Sequence, residues 1–216
     1  MSARRVLAYG DSNTHGTVPM ADHHDRRRFD KGVRWPGVMA SALGTAWDVI
    51  EEGHPGRTTV HDDPVEGAHK NGLSFLPVAL ETHRPLDLVI VMLGTNDLKA
   101  RFAVEPFDIA RSCDRLVGLV QGSDAGPGHA APGVLLVAPF PIEETGTLAA
   151  PFKGGASKSR DLAAHMASVA HHRGVGFMDA GQHVSADPLD GIHLSADSHK
   201  ALGAAVAEAV RARFPD

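Results

Sequence analysis

Short, mostly unbroken apolar runs alternate along the chain with longer stretches in which apolar residues recur every three or four positions. Runs at 6–9, 47–51, 86–93, 133–138 and 175–179 have the length of strands. Being mostly apolar rather than alternating, they predict strands covered on both faces. Helices are predicted over 35–43, 74–83, 106–121, 156–173 and 196–213. Gly44 stops the first, Pro85 lies just past the second, and Gly122 ends the third. Ile109, Leu116, Val117 and Val120 share one face of 106–121, as Leu202, Val206 and Val210 do in 196–213. Five strands alternating with helices predict right-handed βαβ crossovers. The expected fold is therefore a three-layer α/β/α sandwich around a five-stranded parallel sheet of order 2-1-3-4-5. No repeat, low-complexity block or linker divides the chain, so a single domain over 1–216 is expected. Two irregular segments, 17–34 and 139–155, are long for a compact domain, and such loops are usually functional or disordered.

Composition narrows the function. The 216 residues are 43% hydrophobic and 22% charged, enough apolar material for a real core. With 21 basic against 26 acidic residues the net charge is −5, which gives a nucleic-acid partner no electrostatic support. The apolar run at 88–93 is far shorter than the ~20 residues a membrane span needs. Arg4 and Arg5 are followed by only four apolar residues before Gly10-Asp11-Ser12, which is no signal peptide, so a cytoplasmic location is expected. The lone Cys113 excludes an internal disulfide and a thiolate-rich metal site. Fourteen histidines raise the question of metal. The groups His23-His24-Asp25, His61-Asp62-Asp63 and His165 with His171 and His172 hold acceptable ligands. They lack the spacing of a dedicated helical site, so no metal is implied.

Chemistry concentrates where an open parallel sheet places its sites, just past the strands. Gly10-Asp11-Ser12-Asn13-Thr14-His15-Gly16 follows the first strand and Gly94-Thr95-Asn96-Asp97 the third; Asp190-Gly191-Ile192-His193 lies after the fifth, before the last helix. A serine at a strand-to-helix turn can be exposed and can aim its own N–H at a developing oxyanion. It needs a base, since a free hydroxyl is a weak nucleophile. His193 is the best-placed imidazole, and Asp190 can accept from its other nitrogen, as the third member of a Ser-His-Asp arrangement does. Asn96 offers a side-chain N–H, and Gly56 a backbone N–H, to an oxyanion. Taken singly, Ser12 reads as a helix cap, Asn96 and Asp190-Gly191 as turn residues, and His193 as a core or solvated histidine. Their joint occurrence reverses that reading.

Gly10-Asp11-Ser12, Gly56, Gly94-Thr95-Asn96-Asp97 and Asp190-x-x-His193 resemble the four sequence blocks of the SGNH hydrolases, also called GDSL esterases, over essentially the whole chain. Val33-Arg34-Trp35, Arg57-Thr58-Thr59 with Asp62-Asp63, and Asn71-Gly72 look closest to the small bacterial aryl-esterase/acyltransferases. The resemblance implies Ser12 as nucleophile, His193 as base, Asp190 as its partner, and an oxyanion hole of Ser12 N–H, Gly56 N–H and the Asn96 side chain. It implies the flavodoxin-like SGNH fold, no cofactor, a small ester substrate, and a homo-oligomer. The expected activity is hydrolysis of small aryl or alkyl esters through an acyl-enzyme, with acyl transfer as a side activity. The alternative is a carbohydrate O-acetyl esterase using the same residues. Asn13 replaces the usual leucine after the nucleophile, and His15 and Thr17 stand where close relatives carry aromatics, which implies a more polar, less enclosed pocket.

Asn13, His15, Trp35 and Ile192 are the candidate pocket residues, although a tryptophan opening a helix equally suits the core. Asp11 and Asp97 read as braces of their turns, and Arg57 as a brace of the Gly56 loop or a surface charge. Lys99 and Arg101 read as a solvated face rather than an anion site. Arg26-Arg27-Arg28 among Asp22, Asp25 and Asp30 reads as a mixed-charge loop or a subunit contact. Two rivals remain at this level. A non-catalytic binding module is disfavoured because every catalytic position is filled. A flavodoxin-like nucleotide binder is disfavoured because the first loop lacks a glycine-rich phosphate cradle.

Overall fold

The structure is a computed structural model that describes residues 3–214. Five strands, β1 (Arg4–Gly10), β2 (Trp47–Gly53), β3 (Leu88–Met92), β4 (Gly133–Ala138) and β5 (Gly176–Asp179), form one sheet of order β2-β1-β3-β4-β5 with every pair parallel. The helices are α1 (Ser12–His15), α2 (Trp35–Leu43), α3 (Gly72–His83), α4 (Pro106–Gln121), α5 (Gly155–Arg173) and α6 (Ala196–Arg213). This is the sandwich and strand order that the apolar pattern predicts.

The pleat sorts the core into two layers, because successive side chains leave a strand on opposite faces. Leu7, Tyr9, Val89, Val91 and Leu136 pack against α3, α4 and α5 through Leu76, Ile109, Leu116, Val117 and Leu162. Val6, Ala8, Leu88, Ile90 and Val137 face α2 and α6, meeting Trp35, Met39, Leu202, Val206 and Val210. Each fully buried aliphatic side chain contributes about 1.5–3 kcal/mol. The three inner strands are thus covered on both faces. The edge strands β2 and β5 are only half-buried. In β2 this leaves room for Glu51, paired with Arg34 at 2.7 Å, and Glu52, which accepts from His83 at 2.9 Å. The four-residue α1 has no sequence signature, being too short to show a period. Among the described residues no helix is long and apolar enough to cross a membrane.

Candidate active site

β1 delivers its last residue, Gly10, to the carboxyl edge of the sheet, where the chain turns into α1. The Asp11 carboxylate caps this turn by accepting the Asn13 N–H at 2.9 Å, and its backbone carbonyl accepts from Thr14 and His15. Ser12 therefore opens α1 at the sheet edge. Its Oγ lies 3.1 Å from Nε2 of His193, whose Nδ1 lies 2.6 Å from Oδ2 of Asp190. A tight turn brings the last two together. Asp190 Oδ1 accepts the N–H groups of Ile192 and His193 at 3.0 and 2.9 Å. Gly191 adopts φ +72°, and a Cβ there would stand 2.0 Å from the Glu143 carbonyl oxygen, so only glycine fits.

Asp190 is fully buried. Burial alone would raise its pKa. The hydrogen bond and charge of His193, with backbone N–H donors from His193 and Met20, outweigh it and hold the carboxyl below the usual range. An ionised Asp190 fixes the Nδ1–H tautomer of the neutral ring, which leaves the Nε2 lone pair facing the serine hydroxyl. The Met20 contact comes from the 17–34 segment: its N–H donates to Asp190 Oδ2 at 2.7 Å, and its carbonyl accepts from Thr147 Oγ1 at 3.2 Å. No side-chain motif signals a backbone donor, so sequence reading had no means of finding Met20.

Across the cavity from the histidine turn, His54-Pro55-Gly56-Arg57 closes with the Arg57 N–H on the His54 carbonyl at 3.0 Å. Proline then glycine, the latter at φ +79°, are the residues such a turn requires. Arg57 braces it from behind. Its guanidinium donates to the Gly10 carbonyl at 2.8 Å and to the Glu52 carbonyl, and lies 4.2 Å above the Tyr9 ring. The Ser12 and Gly56 N–H groups donate to no other backbone group among the described residues. Asn96 Nδ2 donates to the Arg57 carbonyl at 3.1 Å and lies 3.5 Å from Asp11 Oδ2. That leaves one amide hydrogen only loosely held. Burial, partly offset by the Asn13 N–H, pushes Asp11 up to about 6. Asp97 is also buried, and its carboxylate accepts the Thr59 N–H and hydroxyl, which ties the chain after Arg57 to the end of β3.

Ser12, Gly56, Asn96, Ile192 and His193 all line one cavity of about 470 Å³, and His15 lines it too. Burial, with Arg28 and Arg34 nearby, lowers His15 to about 4, so the ring in that wall is neutral. Two candidate pocket residues lie elsewhere. Asn13 is buried, and its amide donates to the Ile192 carbonyl and accepts from the Leu194 N–H, both at 3.1 Å. It clamps the histidine turn to α1 and does not touch the cavity. Trp35 is buried in the α2–α6 layer, 1% exposed, where its ring fills the core. Lys99 also departs from its expected solvated place. It is 6% exposed and pairs with Glu66 at 2.5 Å. Of the long 139–155 segment, Leu148, Pro151 and Phe152 line the cavity.

The sequence profile of the GDSL-like lipase/acylhydrolase family matches residues 8–201. Among solved structures, the aryl esterase of M. smegmatis is 45% identical, with a TM-score of 0.93, covering 97% of this chain and 99% of that one. Est24, a carbohydrate acetylesterase from Sinorhizobium meliloti, is 43% identical with a TM-score of 0.92, covering 98% of this chain and 100% of its own. A further carbohydrate acetylesterase family member from the same organism is 38% identical, with a TM-score of 0.89 over 97% and 98% of the two chains. No curated protein matches.

Proposed function

The chain belongs to the GDSL-like lipase/acylhydrolase family and is a carboxylic ester hydrolase, and from that premise we propose that it cleaves small carboxylic esters by a Ser12-His193-Asp190 triad. The observation that carries this reading is the unbroken path from Ser12 Oγ to His193 Nε2 at 3.1 Å and from His193 Nδ1 to Asp190 at 2.6 Å, with Ser12 and His193 lining a cavity. Ser12 Oγ attacks the ester carbonyl as His193 Nε2 takes its proton, and Asp190 stabilises the imidazolium. The tetrahedral oxyanion accepts from Ser12 N–H, Gly56 N–H and Asn96 Nδ2, donors already in place before charge develops. Collapse breaks the ester C–O bond, and His193 passes its proton to the departing alkoxide or phenolate. Water, deprotonated by His193, then attacks the acyl-serine; the acid leaves and Ser12 recovers its proton. Another alcohol replacing water gives acyl transfer, a side activity that the polar wall around His15 and Thr17 keeps minor.

Hydrolysis of p-nitrophenyl acetate tests the assignment. Ser12→Ala is expected to lose at least about a thousandfold in kcat, because triad members act as a unit. A variant that keeps the wild-type rate would refute it. Est24 and its family member support a second reading, an O-acetyl esterase acting on sugars with the same residues. Acetylated sugars against aryl acetates of equal acyl length separate the two.

A further inference from the structure

The cavity that holds Ser12 and His193 is rich in positive charge, although the chain as a whole carries −5. Arg26, Arg27, Lys70, Lys99 and Arg101 line it, against Asp25 and Glu66. Three of these cations have carboxylate partners. Arg27 meets Asp25 at 2.6 Å, and Lys99 and Arg101 meet Glu66 at 2.5 and 2.8 Å, with the buried Asp63 behind them. Arg26 and Lys70 touch no carboxylate within 4 Å among the described residues, although Glu66 and Asp63 lie near enough for their charges to act on Lys70. Arg26 donates only to the carbonyls of His23 and Asp25, at 2.7 and 2.9 Å. Lys70 Nζ donates to the Pro55 carbonyl at 2.9 Å and lies 3.4 Å from His54 Nε2. Its stem packs on the oxyanion turn, since a Cβ at Gly56 would lie 3.2 Å from Lys70 Cε.

A half-buried ammonium that no carboxylate contacts directly can still take a close ionic partner, and an incoming anion can supply it. A cleft with a net excess of one charge sign also raises the local concentration of ligands of the other. Met20, Leu148, Phe152 and Ile192 give the same cavity an apolar lining for the rest of such a ligand. We propose that this site selects esters carrying a negatively charged group, a carboxylate in the simplest case, several bonds from the scissile carbonyl, and that Lys70 and Arg26 read that charge. The proposal rests on the esterase reading above and adds the charge of the substrate to it.

Three aryl acetates with alike phenolate leaving groups test it: para-acetoxyphenylpropanoate, its methyl ester, and a trimethylammonium counterpart. The propanoate is expected to exceed the methyl ester at least tenfold in kcat/KM. That ratio should shrink towards one as ionic strength rises from about 0.01 to about 1 M and the Debye length falls from about 30 to about 3 Å. Lys70→Gln and Arg26→Gln should each lower the ratio severalfold, and the double variant should abolish it, whatever happens to the rate on the neutral ester. Equal rates on the first two esters, faster turnover of the cationic ester, or a ratio kept in the double variant would overturn the charge selectivity and leave the esterase reading intact. Failure to hydrolyse even the neutral ester would sink the esterase reading, and this inference with it.

Discussion

At the scale of single residues, the proposed oxyanion hole depends on how Asn96 is held by its neighbours. Asn96 presents an amide whose nitrogen is anchored by the Arg57 carbonyl at 3.1 Å, so its second hydrogen is aimed without searching rotamers. Asn96→Ala should cost about a hundred- to a thousandfold in kcat on p-nitrophenyl acetate with little change in KM, the signature of a donor used only in the transition state. Asp190→Asn keeps the shape of the histidine turn but offers an N–H where the ring needs an acceptor. It should lower kcat about ten-thousandfold through the wrong tautomer, as read by steady-state kinetics. Asn13 acts at the same scale in another way. It was legible in the sequence as a departure beside the nucleophile, yet not as a clamp, because both its partners are backbone groups 179 and 181 residues away. For a related reason the sequence leaves Trp35 open between pocket and core. A helix-opening tryptophan has the same sequence appearance whether its ring faces a pocket or the α2–α6 layer.

At the scale of elements, periodicity served best where burial is complete. The spans of β4, α2, α4 and α6 coincide with the apolar runs that predict them, since each buries a full face. Signal fades where partners are polar or distant: β2 keeps two glutamates because only one edge is paired, and α1 is too short for any period. The least legible element is the 17–34 segment, marked as long but with no hint of what it touches. Its Met20 N–H bond to Asp190 ties it to the proposed triad. Proline has no N–H to give. Met20→Pro should therefore lower kcat at least tenfold, whereas Met20→Ala, which trims only the cavity wall, should move KM before kcat. Comparing the two variants' kcat and KM separates the backbone role from the side-chain one.

Over the whole molecule, stability should depend on pH through histidines buried in their neutral form. His199 is fully buried between α2 and α6, its Nδ1 accepting the Trp35 N–H at 3.3 Å. Burial, then the charges of His193 and Arg34, lower it to about 4 from 6.5. As pH falls below 6.5 the unfolded chain binds this proton first, so stability is full above 6.5 and is lost progressively down to about 4. At about 1.4 kcal/mol per tenfold change in proton affinity, His199 accounts for about 3 kcal/mol of that loss. Asp11, raised to about 6, works in the opposite sense: its contribution is present below 3.8 and fades as pH rises to 6. Urea unfolding of wild type and His199→Asn across pH 4 to 7 isolates the histidine, and the variant should show the shallower fall. A slope unchanged by the substitution would assign the acid sensitivity to other groups.

The peptide groups of Met20 carry one further consequence. One loop donates through this residue to Asp190, the proposed triad acid, while the 139–155 loop holds the same residue by its carbonyl, and both loops line the cavity. On the proposed mechanism, recognition and reactivity are thus not separate modules. Grafting a relative's loop to change substrate range would also retune the base, and variants selected for a new ester should carry altered turnover on the old one.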